Sequence, residues 1–472
     1  MGEDTRTAQD GQLIKALAGK YWKLAMAFML YMYYYLTAEL SFTDIIGASL
    51  GEQRATVFYG LYCLIAAGGF FAFGLARRII RTTGGRRRLF FALGIAGAVC
   101  TVITPIMSGW IPGVFSIASM LFAGYIGGAL LYHMAVSVSE KNAIGMFIAV
   151  PYGAAFLLQY AFGYVLPLFG SAEFIVEHIM LAASLTICVV LLLVFSSEET
   201  GGTTPRNSSK ESARKYLWAA LAACFIISCL YGLLDGIIMN LHTGQQLNVH
   251  GWVRLLCIPG LIFAAWISDF RGGQFFSFAT LIAMLTAILA VLLFDTAETF
   301  NAALGFVYFL GSFMTIYSLA VFVRVARDTD KPGFWASAGR GVKYAAGGVF
   351  TLAGSFMFTN MSYITTTVIY VVLLIALACV LYFRGRLSPA PAEIPEPAAP
   401  VRTLDEMIAA HGFTEREAET LRLLLADNNT SEIAAAMFVT EGTVYKYISS
   451  MIAKTGAKTR IDMMARFSTL KP

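Results

Sequence analysis

The chain has 472 residues, of which 58% are hydrophobic and only 13% charged, with a formal net charge of +5. A soluble globular protein carries about 25% charged residues, so this composition excludes a wholly soluble chain and points to an integral membrane protein with a small polar part. Seven cysteines, all inside apolar runs and with no C-x-x-C pair, exclude a disulfide framework and a zinc site.

Residues 1–23 read as a polar to amphipathic cytoplasmic segment, with no cleavable signal peptide expected. Taking about 20 apolar residues per membrane crossing, twelve spans follow within residues 24–383. They lie near 24–43, 55–76, 89–109, 113–136, 143–167, 174–195, 216–240, 251–269, 274–294, 299–323, 340–360 and 363–383. A Ser/Thr/Gly-rich stretch at 196–215 divides them six and six. Loops on the side of the N-terminus carry 23 Lys/Arg, five of them counted within 324–343, against Arg54 and Arg254 on the other side. This bias places both termini in the cytoplasm, in an inner (cytoplasmic) membrane.

Six plus six spans resemble the major facilitator superfamily (MFS) of transporters. That family repeats a loop of the type G-x-x-x-D-R-x-G-R-R. The first instance here, Gly74 to Arg88, is basic but lacks the acid; the second, Ser268-Asp269-Phe270-Arg271-Gly272-Gly273, is closer. The lost acid bears on a transport cycle and not on the fold.

Ionisable groups at membrane depth are costly and so are functional candidates. Glu39 and Asp44 toward the outer end of span one, Asp235 near the outer end of span seven and Arg254 at the outer start of span eight form this set. Tyr34, within the run Tyr31, Tyr33, Tyr34 and Tyr35, joins Glu39, Asp235 and Arg254 as a candidate ligand-binding residue. Wet interfacial loops for the charges, and ordinary packing for the tyrosines, are the alternatives. His133 and Gln159 are further polar groups in apolar runs.

Residues 384–403 contain five prolines interleaved with alanine, a stiff extended linker that at ~3.1 Å per residue reaches about 60 Å. Residues 404–472 follow as a small four-helix domain. Thr414 with Glu417 forms a capping box, opening a helix that buries Ala418, Leu421 and Leu425. Asp427-Asn428-Asn429 breaks it, and Thr430 caps a second helix carrying Ile433, Ala434 and Met437. After a turn at Phe438-Val439, Thr440 caps a third helix over about 441–454. Two helices joined by a tight turn are the DNA-reading arrangement. Val444, Ile448, Met451, Ile452 and Thr455 form the packing face of the third helix, and Tyr445, Lys446, Ser449 and Ala453 the opposite one, slim enough for a major groove about 12 Å wide.

Thr414, Arg416-Glu417, Glu419, Leu421, Glu432-Ile433-Ala434, Thr443-Val444, Lys454 and Gly456 carry a dense, correctly spaced resemblance to the LuxR/FixJ-type helix-turn-helix module, over about 60 residues. Tyr445, Tyr447 and Thr455 depart from that pattern. The resemblance implies DNA contacts at Thr440, Thr443, Tyr445, Lys446, Ser449, Lys454, Lys458 and Arg460, with Thr443 and Lys454 on phosphates. It also implies dimerisation through the last helix by Ile461, Met464 and Phe467, unless Met464 and Phe467 merely finish the monomer core. From Arg402 onward nine basic and nine acidic residues cancel, so one copy grips phosphate weakly and a homodimer on a pseudo-palindromic double-stranded site is expected.

The fold expected is thus all-α: a twelve-helix MFS-like membrane bundle and a LuxR-type module. The function expected is a membrane-embedded one-component transcriptional regulator that senses an unknown small molecule. An MFS-type transporter with an appended regulatory or docking module is the alternative. No catalytic motif, metal cluster or cofactor site is expected.

Overall fold

The computed structural model describes residues 19, 21–138, 143–196, 207–243, 247, 249, 251–293, 297–387, 404, 408, 411–426, 428–455, 457 and 459–467. The chain forms two compact units, Met1–Pro391 and Ala392–Pro472, each with its own apolar core. The proline-rich segment 388–403 lies outside the described residues.

Among its described residues, the regular secondary structure of the first unit is all helical. Its first half holds α1 (Trp22–Leu50), α2 (Glu52–Ile79), α3 (Thr83–Ile103), α4 (Ile111–Ser137), α5 (Ile144–Val165) and α6 (Glu173–Ser196). Its second half holds α7 (Asn207–Thr243), α8 (Cys257–Asp269), α9 (Phe276–Leu293), α10 (Ala297–Ala326), α11 (Pro332–Asn360) and α12 (Tyr363–Leu387). The expected spans overlap these helices, although the third runs past the end of α3 at Ile103 and the eighth starts ahead of α8 at Cys257. By length and apolarity nine helical stretches among the described residues can cross a membrane, and the apolar part of α9 is shorter. The two long helices that fail the test, α1 and α11, carry the tyrosine run and Arg340 with Lys343. Their polar groups face the protein interior, which a hydropathy average cannot register.

Helices α2 and α11 pack together across the two halves, and so do α5 and α8, which are their counterparts in the other pairing. Close approach rests on small residues. A Cβ on Gly69 of α2 would stand 2.2 Å from the Leu121 carbonyl oxygen of α4, and one on Gly124 would stand 2.1 Å from the Ala66 carbonyl oxygen. Gly69→Ala should therefore force α2 from α4 and destabilise the purified protein by roughly 1–3 kcal/mol. Gly163→Ala, whose added Cβ meets nothing within 4 Å, is the control; equal melting temperatures for both variants would contradict this packing account.

At the end of the bundle nearest residues 22 and 387, Asp269 joins the halves. Its carboxylate accepts from the backbone N–H groups of Gly145 and Met146 at the start of α5, at 2.9 and 2.8 Å, and from Arg324 of α10 at 2.6 Å. The turn that positions it needs glycine, with Gly272 at φ 68° and Gly273 at φ 82°. The corresponding place at the end of α2 has no acid. There Arg77 donates to the Tyr132 hydroxyl at 2.7 Å and lies over its ring.

Arg340 and Lys343, assigned from the sequence to a loop, lie instead inside α11, so they leave the loop tally; Arg324 and Arg384 likewise sit on helices, engaged by side chains of the bundle. Helix α11 begins at Pro332, and proline at the first turn lacks only an N–H that would be unsatisfied anyway.

The second unit contains α13 (Glu415–Leu425), α14 (Thr430–Ala436), α15 (Glu441–Thr455) and α16 (Arg460–Phe467). The Thr414–Glu417 capping box is present. A second box caps α14, but its residues are Asn429 and Glu432 rather than Thr430. Asn429 takes the extended backbone of a cap, whereas Thr430 is already helical. The core gathers Leu421, Leu424, Ile433, Val444, Ile448 and Met451. Leu425, expected inside, is only partly buried, and Leu424 takes its place.

Candidate functional site

Helix α15 shows two faces. Val444, Ile448, Met451 and Thr455 are buried at helical spacing, while Tyr445, Lys446, Ser449 and Ala453 are exposed. The turn before it is tight. Phe438 adopts φ 54°, is 95% exposed, and so directs a large ring to the surface from a left-handed backbone. Thr440 is exposed and its hydroxyl is 2.9 Å from that of the half-buried Thr443. A slim, polar, exposed helix face behind a tight turn is the geometry that enters a major groove.

Some of the expected site residues stand elsewhere. Lys454 reaches back to α13, donating to the Glu417 carboxylate at 2.7 Å and to the Gly412 carbonyl at 3.0 Å. It ties the third helix of the module to its first through the Glu417 carboxylate. Phe467 is 1% exposed and packs on His411 and Phe413. It closes the monomer core together with Met463, as the alternative reading of the last helix has it for Phe467, whereas Met463 rather than Met464 is the buried methionine. Met464 is half-buried; the side chains of Ile461 and Lys458 lie outside the described residues, and Arg460 is half-buried at the start of α16.

Burial by itself pushes the Glu417 carboxyl up, but Lys454, Ser450 and the Thr414 N–H and hydroxyl outweigh it and hold it down at about 2. The module therefore carries a fully engaged ion pair linking its first and third helices.

The first unit encloses a cavity of about 120 Å³. Glu39 of α1, Asp235 of α7, Arg254 and Lys343 of α11 all line it. The Cys63 thiol donates to Glu39 at 3.2 Å, and Thr351 donates to Asp235 at 3.4 Å. Lys343 lies over the Tyr344 ring at 4.3 Å and Arg254 over Phe156 at 5.6 Å. Among the described residues, no ion pair within 4.0 Å joins any two of these four charged groups. Glu39 and Asp235 are thus inside helices and at a cavity wall, not in interfacial loops. Lys343 was not legible as a site residue because Arg340 and the nearby Lys331 give the stretch the look of a cytoplasmic loop. Its signal was the small-residue context Gly-Arg-Gly-Val-Lys-Tyr-Ala-Ala-Gly-Gly, which a loop does not need.

Tyr34 does not line this cavity. Its hydroxyl lies 2.9 Å from that of Thr101 and 2.6 Å from that of Ser119, tying α1 to α3 and α4. The consecutive tyrosines point to different faces of α1, so only some can reach the interior space. Behind the cavity Arg340, 2% exposed, donates to the hydroxyls of Tyr152 and Tyr344 at 3.1 and 2.7 Å. Asp44 lines a second cavity and meets His242 at 3.6 Å. Gln159 lines that second cavity too and donates to the Leu36 carbonyl. His133 packs against Tyr132 and Phe195.

Fold and sites together define a membrane helical bundle carrying a helix-turn-helix DNA-binding module. Residues 411–466 match the family of bacterial regulatory proteins described as luxR, and this part of the chain is a LuxR-type module. It is similar to the transcriptional regulatory protein DesR of Bacillus subtilis (strain 168), 38% identical over 68 residues, which are 14% of this chain and 34% of that one. It is also similar to the spore germination protein GerE of the same organism, 45% identical over 48 residues, 10% of this chain and 65% of that one. The chain thus spans about a third of the first relative and under two thirds of the second. The solved structure of a point variant of the E. coli fucose:proton symporter FucP superposes with a TM-score of 0.51 at 15% identity, covering 77% of this chain and 98% of that one. An auto-inhibited POT family peptide transporter gives 0.50 at 8% identity, covering 78% and 95%. Identities this low establish the transporter-like fold alone.

Proposed function

We propose that the chain is a membrane-embedded one-component transcriptional regulator, in which the transporter-like unit binds a small molecule and thereby controls DNA binding by the LuxR-type module. The observation that carries this reading is the joining of an exposed helix-turn-helix face to a fold whose interior cavity holds four charged side chains not paired with one another. Charged groups at membrane depth are expensive to keep, and an unpaired set of both signs suits a polar ligand. The lysine and arginine bias supports a cytoplasmic position for both termini in the inner membrane, the side on which DNA lies. The near-neutral charge of the module supports binding as a two-fold pair on a pseudo-palindromic site, with Met464 and Ile461 as the contact. Thr440, Thr443, Tyr445, Lys446 and Ser449 are the DNA-facing set, with Arg460 and Lys458 as further DNA contacts.

Tyr445→Ala and Lys446→Ala test the reading. Each should lower affinity for the target promoter by about 1–3 kcal/mol, measured by gel shift with the full chain, and leave membrane insertion intact. Promoter binding that survives both substitutions would refute the assigned face. Accumulation of substrate in vesicles containing the protein would instead favour a transporter.

A further inference from the structure

A second cavity of the first unit, about 480 Å³, lies toward the end of the bundle away from residues 22 and 387. It shares only Phe156 and Arg254 with the smaller cavity. Among the described residues, the carboxylates of Asp44, Glu173 and Glu177 line it, against the guanidinium of Arg254. Asp44 is engaged by His242 at 3.6 Å, and Glu177 accepts from Ser41 at 2.5 Å. The negative excess therefore rests mainly on Glu173 and Glu177, which lie one helical turn apart on α6.

The walls are aromatic. Tyr33, Phe162 and Tyr160 come from α1 and α5, and Trp252 stands 65% exposed at the rim. Ring faces carry negative charge density and attract cations.

Tyr33 and Thr37, residues only 2% and 7% exposed, line this cavity, and their buried hydroxyls have no hydrogen-bond partner. The Gln159 amide oxygen, on the same wall, has none either. Buried polar atoms left unsatisfied cost about 1–3 kcal/mol each. All three oxygens can accept, and the amide oxygen can only accept. The cavity thus offers carboxylates, ring faces and unfilled acceptors, a set completed by a positively charged group bearing N–H donors.

We propose that this cavity binds an organic ammonium ion, a protonated amine attached to an apolar or aromatic body. The ammonium sits against Glu177 and Glu173 and donates to Tyr33, Thr37 and Gln159, while the body lies along Tyr160, Phe162 and Trp252. Anions are disfavoured by the carboxylates, and neutral molecules forgo the charge. Arg254, shared with the smaller cavity, is the residue through which occupancy of this one reaches the charged set beyond it. The proposal deepens the reading of the membrane unit as a sensor by naming the chemistry of its ligand.

Calorimetric titration of the purified full chain in detergent, without DNA, tests it. The probes are 2-phenylethylamine, charged at neutral pH, and 2-phenylethanol, its uncharged counterpart of the same shape. The amine should bind at least tenfold more tightly than the alcohol, since tenfold is about 1.4 kcal/mol. Glu177→Gln should weaken the amine about tenfold and leave the alcohol unchanged. Should Glu177→Gln fail to fold, Glu173→Gln makes the same test from the other carboxylate. Tyr33→Phe, which removes one acceptor, should weaken the amine by about threefold. Equal binding of the two probes, absence of amine binding at millimolar concentration, or an amine affinity indifferent to the carboxylate substitutions would each overturn the proposal. Because DNA takes no part, such a failure would leave the DNA-binding assignment standing, and loss of promoter control would leave this site untouched.

Discussion

Asp269→Ala is expected to lower the melting temperature of the purified full chain sharply, with a loss of about 3 kcal/mol or more. Breaking one partner of a largely buried ion pair leaves an uncompensated charge. Here the Arg324 guanidinium, 2.6 Å away, would lose its carboxylate, and the Gly145 and Met146 N–H groups would lose their acceptor. The double variant Asp269→Ala with Arg324→Ala should recover part of that loss, since it removes both charges. A single variant that melts with the parent protein would show that the clamp does not hold the halves together. No equivalent acid stands at the end of α2, so nothing compensates from the symmetric position.

Glu417→Gln should destabilise the module, expressed alone over residues 392–472, by roughly 2 kcal/mol at pH 7. The folded carboxyl is held at about 2, below the unfolded value of about 4.3. A depressed value contributes stability that is fully present above about pH 4.3 and is lost as pH falls toward 2. Denaturant titrations of the parent module should therefore weaken across that window, and those of Glu417→Gln should stay nearly flat there. Lys454→Met should cost as much at pH 7, because it strands the carboxylate. If Lys454→Met instead leaves stability intact and weakens binding to all DNA sequences alike, then the lysine is a phosphate contact after all.

The module was largely legible because its signals are local. A capping box spans four residues, and the buried face of α15 repeats every three or four positions, so Val444, Ile448 and Met451 could be assigned without knowing their partners. The contacts of Lys454 and Phe467 were hidden for the opposite reason. Glu417 lies 37 residues from Lys454, and His411 and Phe413 are more remote still in sequence from Phe467, so nothing local shows that these side chains turn inward.

In the membrane unit the apolar runs by themselves located most of the helices and their order, because a segment of the right length and apolarity has few other places to go. The tertiary structure alone decided which polar residues share a space. Glu39, Asp235, Arg254 and Lys343 come from four separate segments and meet only when the two halves pack. Tyr33 and Tyr34 are neighbours in sequence, yet one lines a cavity and the other is consumed in a hydroxyl cluster. Successive residues on a helix point about 100° apart, and only the identity of the helices packed around α1 tells which of those directions is open.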